Sequence, residues 1–148
     1  MVIASALLQD ACLSFTATLG FALLYQVPRQ VLFACAAIGM GGYLLRSVLH
    51  QLGLDLVLAN FCGSLFVGLA GLLPARRHQL PMLLFVITGI ICMVPGIPTY
   101  KVLVYFHQGD ILGGLRSGIE AGFSVIALAG GIGAARILSD SDWGFEQR

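Results

Sequence analysis

The chain has 148 residues, 58% of them hydrophobic and 10% charged, with a formal net charge of +1 and a mean hydropathy of +0.93. A soluble domain carries about 25% charged residues, so a soluble fold of this length could not cover its surface. The near-neutral balance also offers no basic field for nucleic acid. What remains is an all-α, polytopic integral membrane helix bundle, read as a single transmembrane domain over 1–148 with the lipid bilayer as its solvent.

A spanning helix needs about 20 mostly apolar residues, and five candidates follow in chain order. The first covers 2–25 and ends at the turn Gln26-Val27-Pro28-Arg29-Gln30, where Pro28 disfavours helix at Val27. The second covers 31–49, and its apolar run stops at Leu45, which places Arg46 as a side chain snorkelling to the interface. The third covers 56–73 and is closed by Pro74-Ala75-Arg76-Arg77-His78-Gln79. The fourth covers 80–94 and is stopped by Pro95-Gly96-Ile97-Pro98. An apolar piece at 99–106 follows, too short to span alone, and reads either as its continuation past a proline break or as a short interfacial helix. The fifth covers 111–138, ahead of a polar tail at 139–148. Five crossings put Arg29, Arg76, Arg77, Arg136 and Arg148 on one side and Arg46, Lys101 and Arg116 on the other. That asymmetry favours an external N-terminus and a cytoplasmic C-terminus.

The N-terminus lacks the positive region of a signal peptide, and Asp10 interrupts its apolar run, so the first segment reads as a retained helix. Cys12, Cys35, Cys62 and Cys92 each sit alone in a different apolar segment and read as small buried hydrophobes. With no Cys/His cluster, no metal or cofactor is expected. His50, His78 and His107 fall in separate polar stretches. Nucleophile, metalloprotease and phosphate-loop motifs are lacking, so no catalytic residue and no enzyme is expected.

Ionisable and polar groups within apolar segments are the first functional candidates, because lipid penalises them. Asp10 lies two turns into the first helix, about 12 Å along its axis, and could hold a proton or a substrate amine; the other reading is an interfacial aspartate near a helix start. Asn60 could bond a substrate or tie its helix to a neighbour. In Val94-Pro95-Gly96-Ile97-Pro98-Thr99-Tyr100, two prolines remove two backbone donors, and Gly96 between them permits an unusual backbone angle. Discontinuous helices of this kind form substrate or ion paths in transporters; otherwise the segment is a rigid surface turn with Tyr100 as an interfacial anchor. Glu120 follows Arg116 by one turn, and the two can neutralise each other. Gly114, Gly118 and Gly122 recur every four residues, with Gly130 and Ala134 continuing the face, as in a close helix-packing surface.

Three segments together resemble a family: Gly20-Phe21-Ala22-Leu23-Leu24-Tyr25-Gln26-Val27-Pro28-Arg29, Ala59-Asn60-Phe61-Cys62-Gly63-Ser64-Leu65-Phe66-Val67-Gly68, and Val94-Pro95-Gly96-Ile97-Pro98-Thr99-Tyr100. In this order and spacing they resemble the small subunit of the threonine/serine exporter family, the unit fused C-terminally in single-chain members. The resemblance implies half of a secondary transporter, working with a larger membrane subunit in the bacterial inner membrane. It implies export of small polar metabolites, either threonine and serine or dicarboxylates such as succinate, driven by an ion gradient. It carries the family's features onto Asp10, Pro28, Pro95, Gly96, Pro98 and Tyr100, while Asn60 stands where members often have a small or hydroxyl residue.

Asp10 and Glu120 are the groups expected to titrate during transport. The glycine face of the last helix is expected to pack on the larger partner or on a second copy, making a homo-oligomer. The alternatives are a non-transporting, stabilising subunit of a membrane complex and a small oligomeric channel. A transport role expects Pro95–Tyr100 to be buried and water-lined, whereas a scaffold expects it flat at the interface.

Overall fold

The computed structural model describes residues 2–139, with side chains from Leu7 onward. Every element is helical: α1 (Val2–Leu24), α2 (Leu32–Gln51), α3 (Leu56–His78), α4 (Met82–Ile90), a 3₁₀ turn (Ile91–Met93), α5 (Gly96–His107) and α6 (Ile111–Ser139). The polar tail expected after Ser139 lies outside the described residues.

The distribution of side chains is inverted relative to a soluble bundle. Leu13, Leu24, Phe33, Leu73, Leu112 and Ile137 all point outward, while Ser14, Thr18, Asn60, Ser64, Thr88, Ser117 and Ser124 are buried. Lipid tails are as apolar as leucine, so association between membrane helices comes from close packing and interhelical polar contacts among small residues. Glycine makes the closest of these approaches. A Cβ on Gly63 would sit 3.0 Å from the Gly42 carbonyl oxygen, and Met93 of the 3₁₀ turn fills the same crossing of α2 with α3.

The contacts fix the helix directions. Thr18 meets Gly39 and Asp10 meets Ser47, so α1 and α2 are antiparallel. Phe85 lies at Gly71, Val67 at Gly89 and Met93 at Gly63, so α4 runs against α3. Phe61, Ser64 and Ala135 lie at Gly130, Gly131 and Gly68 in that order, so α6 runs with α3. Phe106 meets Gly114 and Val102 meets Gly118, so α5 runs against α6. Hence α5 keeps the sense of α4. Four helices are long and apolar enough to cross a bilayer, and α4 with its 3₁₀ turn and α5 form a pair bent by 50° that makes a fifth where the pair is one span. Shared direction favours reading that pair as one bent pass. It also gathers the ends carrying Arg29, Arg76, Arg77 and Arg136 on one side.

Two boundaries depart from the sequence reading. α3 does not stop at Leu73 but runs through Pro74 to His78 and ends at Gln79 in the left-handed region (φ 53°). Proline satisfies helical φ and removes only one donor, and three basic residues, Arg76, Arg77 and His78, complement the negative helix end. The second departure is at the proline break. Gly96 is not in the positive-φ region; it opens α5. Pro95 makes the turn instead, with φ −76° and ψ 66°, and the Gly96 N–H donates to the Val94 carbonyl at 2.8 Å, an inverse γ-turn. Pro98 stands in the first turn of α5, where the N–H has no intrahelical partner anyway. The Ile91 carbonyl accepts from the Val94 N–H at 3.4 Å. The carbonyls one turn before each proline, those of Ile91 and Val94, are therefore bonded within the chain despite the two missing donors.

Candidate functional site

The site is built where α1, α2 and the 3₁₀ turn meet. Asp10, Leu13, Ser14, Ala17 and Phe21 of α1, Tyr43 of α2 and Cys92 line a cleft of about 230 Å³. Helical spacing brings residues 10, 13, 14, 17 and 21 to one face. Ser14 bonds back to the Ala11 carbonyl at 3.1 Å, which satisfies its hydroxyl within α1. The Asp10 carboxylate is half-buried and accepts a hydrogen bond from Ser47 Oγ of α2 at 3.1 Å. Across the cleft, Cys92 Sγ lies 3.2 Å from Thr18 Oγ1 and donates to the Ser14 carbonyl at 3.7 Å. The proline break shapes this wall. Ending α4 in a 3₁₀ turn aims Cys92 at α1 and Met93 at the crossing of α2 and α3.

Behind Tyr43 lies a second polar group. The Arg46 guanidinium sits over the Tyr43 ring, 5.4 Å from its centroid, within cation–π range. Arg46 Nε is buried and without a partner. Arg46 is half-buried and its Cβ lies against Gly63 at the crossing, a packed stem of the kind a snorkelling side chain has. On α3, one turn before Gly63, Asn60 is 1% exposed, and its Oδ1 also has no partner.

A family model described as threonine/serine exporter, ThrE, matches residues 10–138, from the cleft aspartate to the end of α6. The chain belongs to the threonine/serine exporter family. An uncharacterized protein of Haemophilus influenzae is 30% identical over 102 residues, which are 69% of this chain and 34% of that relative. The chain thus spans about a third of the curated relative it matches. No solved structure matches it.

In this member of the exporter family, the sequence candidates separate into three places. Asp10 enters the cleft wall. Asn60 is buried among the helices behind it. Pro95 is buried, but Gly96 and Tyr100 point outward, and Pro98 is only half-buried; the break reaches the cleft through Cys92 instead. Glu120 faces outward and pairs with Arg116, Nε to Oε1 3.5 Å, and does not line the cleft. The glycines of α6 diverge as well. Gly114 is buried against Phe106 and Gly118 lies near Val102, while Gly122 has nothing within 4 Å. The face of α6 packed within the chain runs instead through Gly114, Ser117, Ser124, Leu128, Gly131 and Ala135. Its spacing is close to 3.5 residues, and a strict repeat of four drifts off that face. Tyr43, Ser47 and Cys92 carry no sequence signal as site residues, because each is an ordinary residue inside an apolar run. Cys12 also departs from the reading as a buried hydrophobe, since it is exposed.

Proposed function

We propose that this chain is a membrane subunit of a secondary transporter that exports small polar metabolites, threonine and serine or dicarboxylates such as succinate, through a path that includes the Asp10 cleft. The observation that carries the reading is the family match over 10–138, which takes in α2 to α5 whole, most of α1 and all but the last residue of α6. The cleft supports it: a carboxylate, a hydroxyl-backed wall and a thiol set among apolar helices suit a small polar solute, and about 230 Å³ is below the size of a pocket for a drug-sized ligand. Asp10 is also the group suited to follow an ion gradient, since an intramembrane carboxylate is the usual element of such coupling.

The chain works with a larger membrane subunit in the bacterial inner membrane, its N-terminus outside. Support comes from the short share of the relative that the chain spans. It comes also from α5, which has no buried residue, and from the open Gly122 face of α6, both free to receive a partner. The test is efflux of labelled threonine, serine and succinate from cells expressing this chain alone and then with the larger subunit. Export only with both supports the reading. Export by the chain alone removes the partner from it, and no export in either case overturns it in favour of a stabilising subunit.

A further inference from the structure

Two buried polar atoms stand unpaired within one layer of the bundle: Arg46 Nε and Asn60 Oδ1. Buried polar groups in native proteins nearly always have partners, and an unpaired guanidinium nitrogen among membrane helices is especially costly. Asp10 does not supply the missing acceptor. Its carboxylate is held by Ser47, the residue that follows Arg46 on α2. Tyr43 joins the two places: its ring lines the Asp10 cleft and carries the Arg46 guanidinium.

Resting on the export reading above, we propose that Arg46 is the carboxylate-binding pole of the solute site and Asp10 its ammonium-binding pole, with Asn60 Oδ1 accepting from the solute or its hydroxyl. A planar guanidinium matches a carboxylate, and a carboxylate matches an ammonium. The pair therefore selects a solute carrying both charges close together. It discriminates against a dicarboxylate, whose second carboxylate would meet Asp10; like charges juxtaposed in a site are an effective means of rejection. Movement of the Tyr43 ring would open the way between the poles.

The test uses the complex of this chain with its larger subunit, in vesicles, with labelled threonine as the exported solute. Competitors are succinate, which has carboxylates only, and threoninol, which has the amine and hydroxyl but no carboxylate. In the wild type, threoninol competes weakly and succinate does not. Arg46→Gln raises the KM for threonine about ten- to a hundredfold, the size of one hydrogen bond to a charged group, and leaves competition by threoninol unchanged. Arg46→Lys recovers part of the loss. Asp10→Asn weakens both threonine and threoninol and lets succinate compete.

An unchanged threonine KM in Arg46→Gln, at equal membrane level, overturns the assignment of Arg46 while leaving export intact. Loss of threonine and threoninol alike in that variant shows a structural role and overturns it too. Succinate competing as well as threoninol in the wild type overturns the two-pole site without any variant. Export of succinate without amino-acid export by the wild-type complex overturns this inference and leaves the export reading standing, whereas export of neither overturns both.

Discussion

Ser47 of α2 donates a hydrogen bond of 3.1 Å to the Asp10 carboxylate of α1, tying the first two helices together at the mouth of the cleft. The bond orients a carboxylate that would otherwise rotate freely in a half-buried position, and it keeps one oxygen available to a solute. Ser47→Ala is expected to leave the fold intact and lower export severalfold, since a hydrogen bond to a charged group contributes about 1.5–3 kcal/mol when fully desolvated and less here. Ser47→Thr, which keeps the hydroxyl, should restore most of it. Efflux rates at matched membrane levels check both variants.

The crossing of α2 and α3 depends on Met93. Its side chain is 1% exposed and lies against both Gly42 and Gly63. Met93→Ala should open a cavity there and destabilise the bundle by about 2–5 kcal/mol, seen as a lower unfolding temperature in detergent. Met93→Leu, similar in volume, should lose much less.

The α6 glycines are expected to behave in opposite ways. At Gly131 an added Cβ would come within 2.5 Å of the Phe61 carbonyl oxygen, so Gly131→Ala should push α6 off α3 and lower stability. At Gly122 nothing stands within 4 Å, and Gly122→Ala should raise helix stability by about 1 kcal/mol. If the larger subunit docks on that open face, Gly122→Leu should reduce its co-purification while the chain itself stays folded. Thermal unfolding and co-purification, measured on the same preparations, separate the two effects.

The bend between α4 and α5 should depend on Pro95. Pro95→Ala restores a backbone donor and frees φ, and the apolar run can then continue as one straighter helix. Spin labels at Leu83 and Leu103, both exposed, should move apart as the 50° bend opens. Cys92 should leave the cleft wall with it, and export should fall. An unchanged label distance would show that packing of α5 on α6, rather than the proline, sets the angle.

The helical membrane character of the chain was legible in its composition, because only lipid can solvate so apolar a surface. So were the turns marked by Pro28 and by Pro95, whereas Asp110, whose Oδ1 accepts from the Gly113 N–H at the start of α6, was not singled out. Asp10 stands out in the sequence for a physical reason, as a charge within an apolar run, and it lines the cleft. Arg46 was read from the end of an apolar run; that its stem packs beside Gly63 was not legible, because the neighbour stands on another helix. The face of α6 packed within the chain was not legible from glycines every four residues, because it is set by what α3 presents, Phe61 and Ser64. Cys92 could not be found from the sequence, since its place in the cleft follows from the 3₁₀ turn that precedes Pro95.

The measurement that bears most directly on the cleft as the solute site is protection of Cys92. In a complex whose Cys12, Cys35 and Cys62 are replaced by alanine, a small thiol reagent modifies Cys92 at a rate that is followed with and without saturating threonine. The account predicts that threonine slows the modification and that Asp10→Asn abolishes this protection. A rate that threonine leaves unchanged, in a complex that still exports it, would place the path elsewhere in the protein.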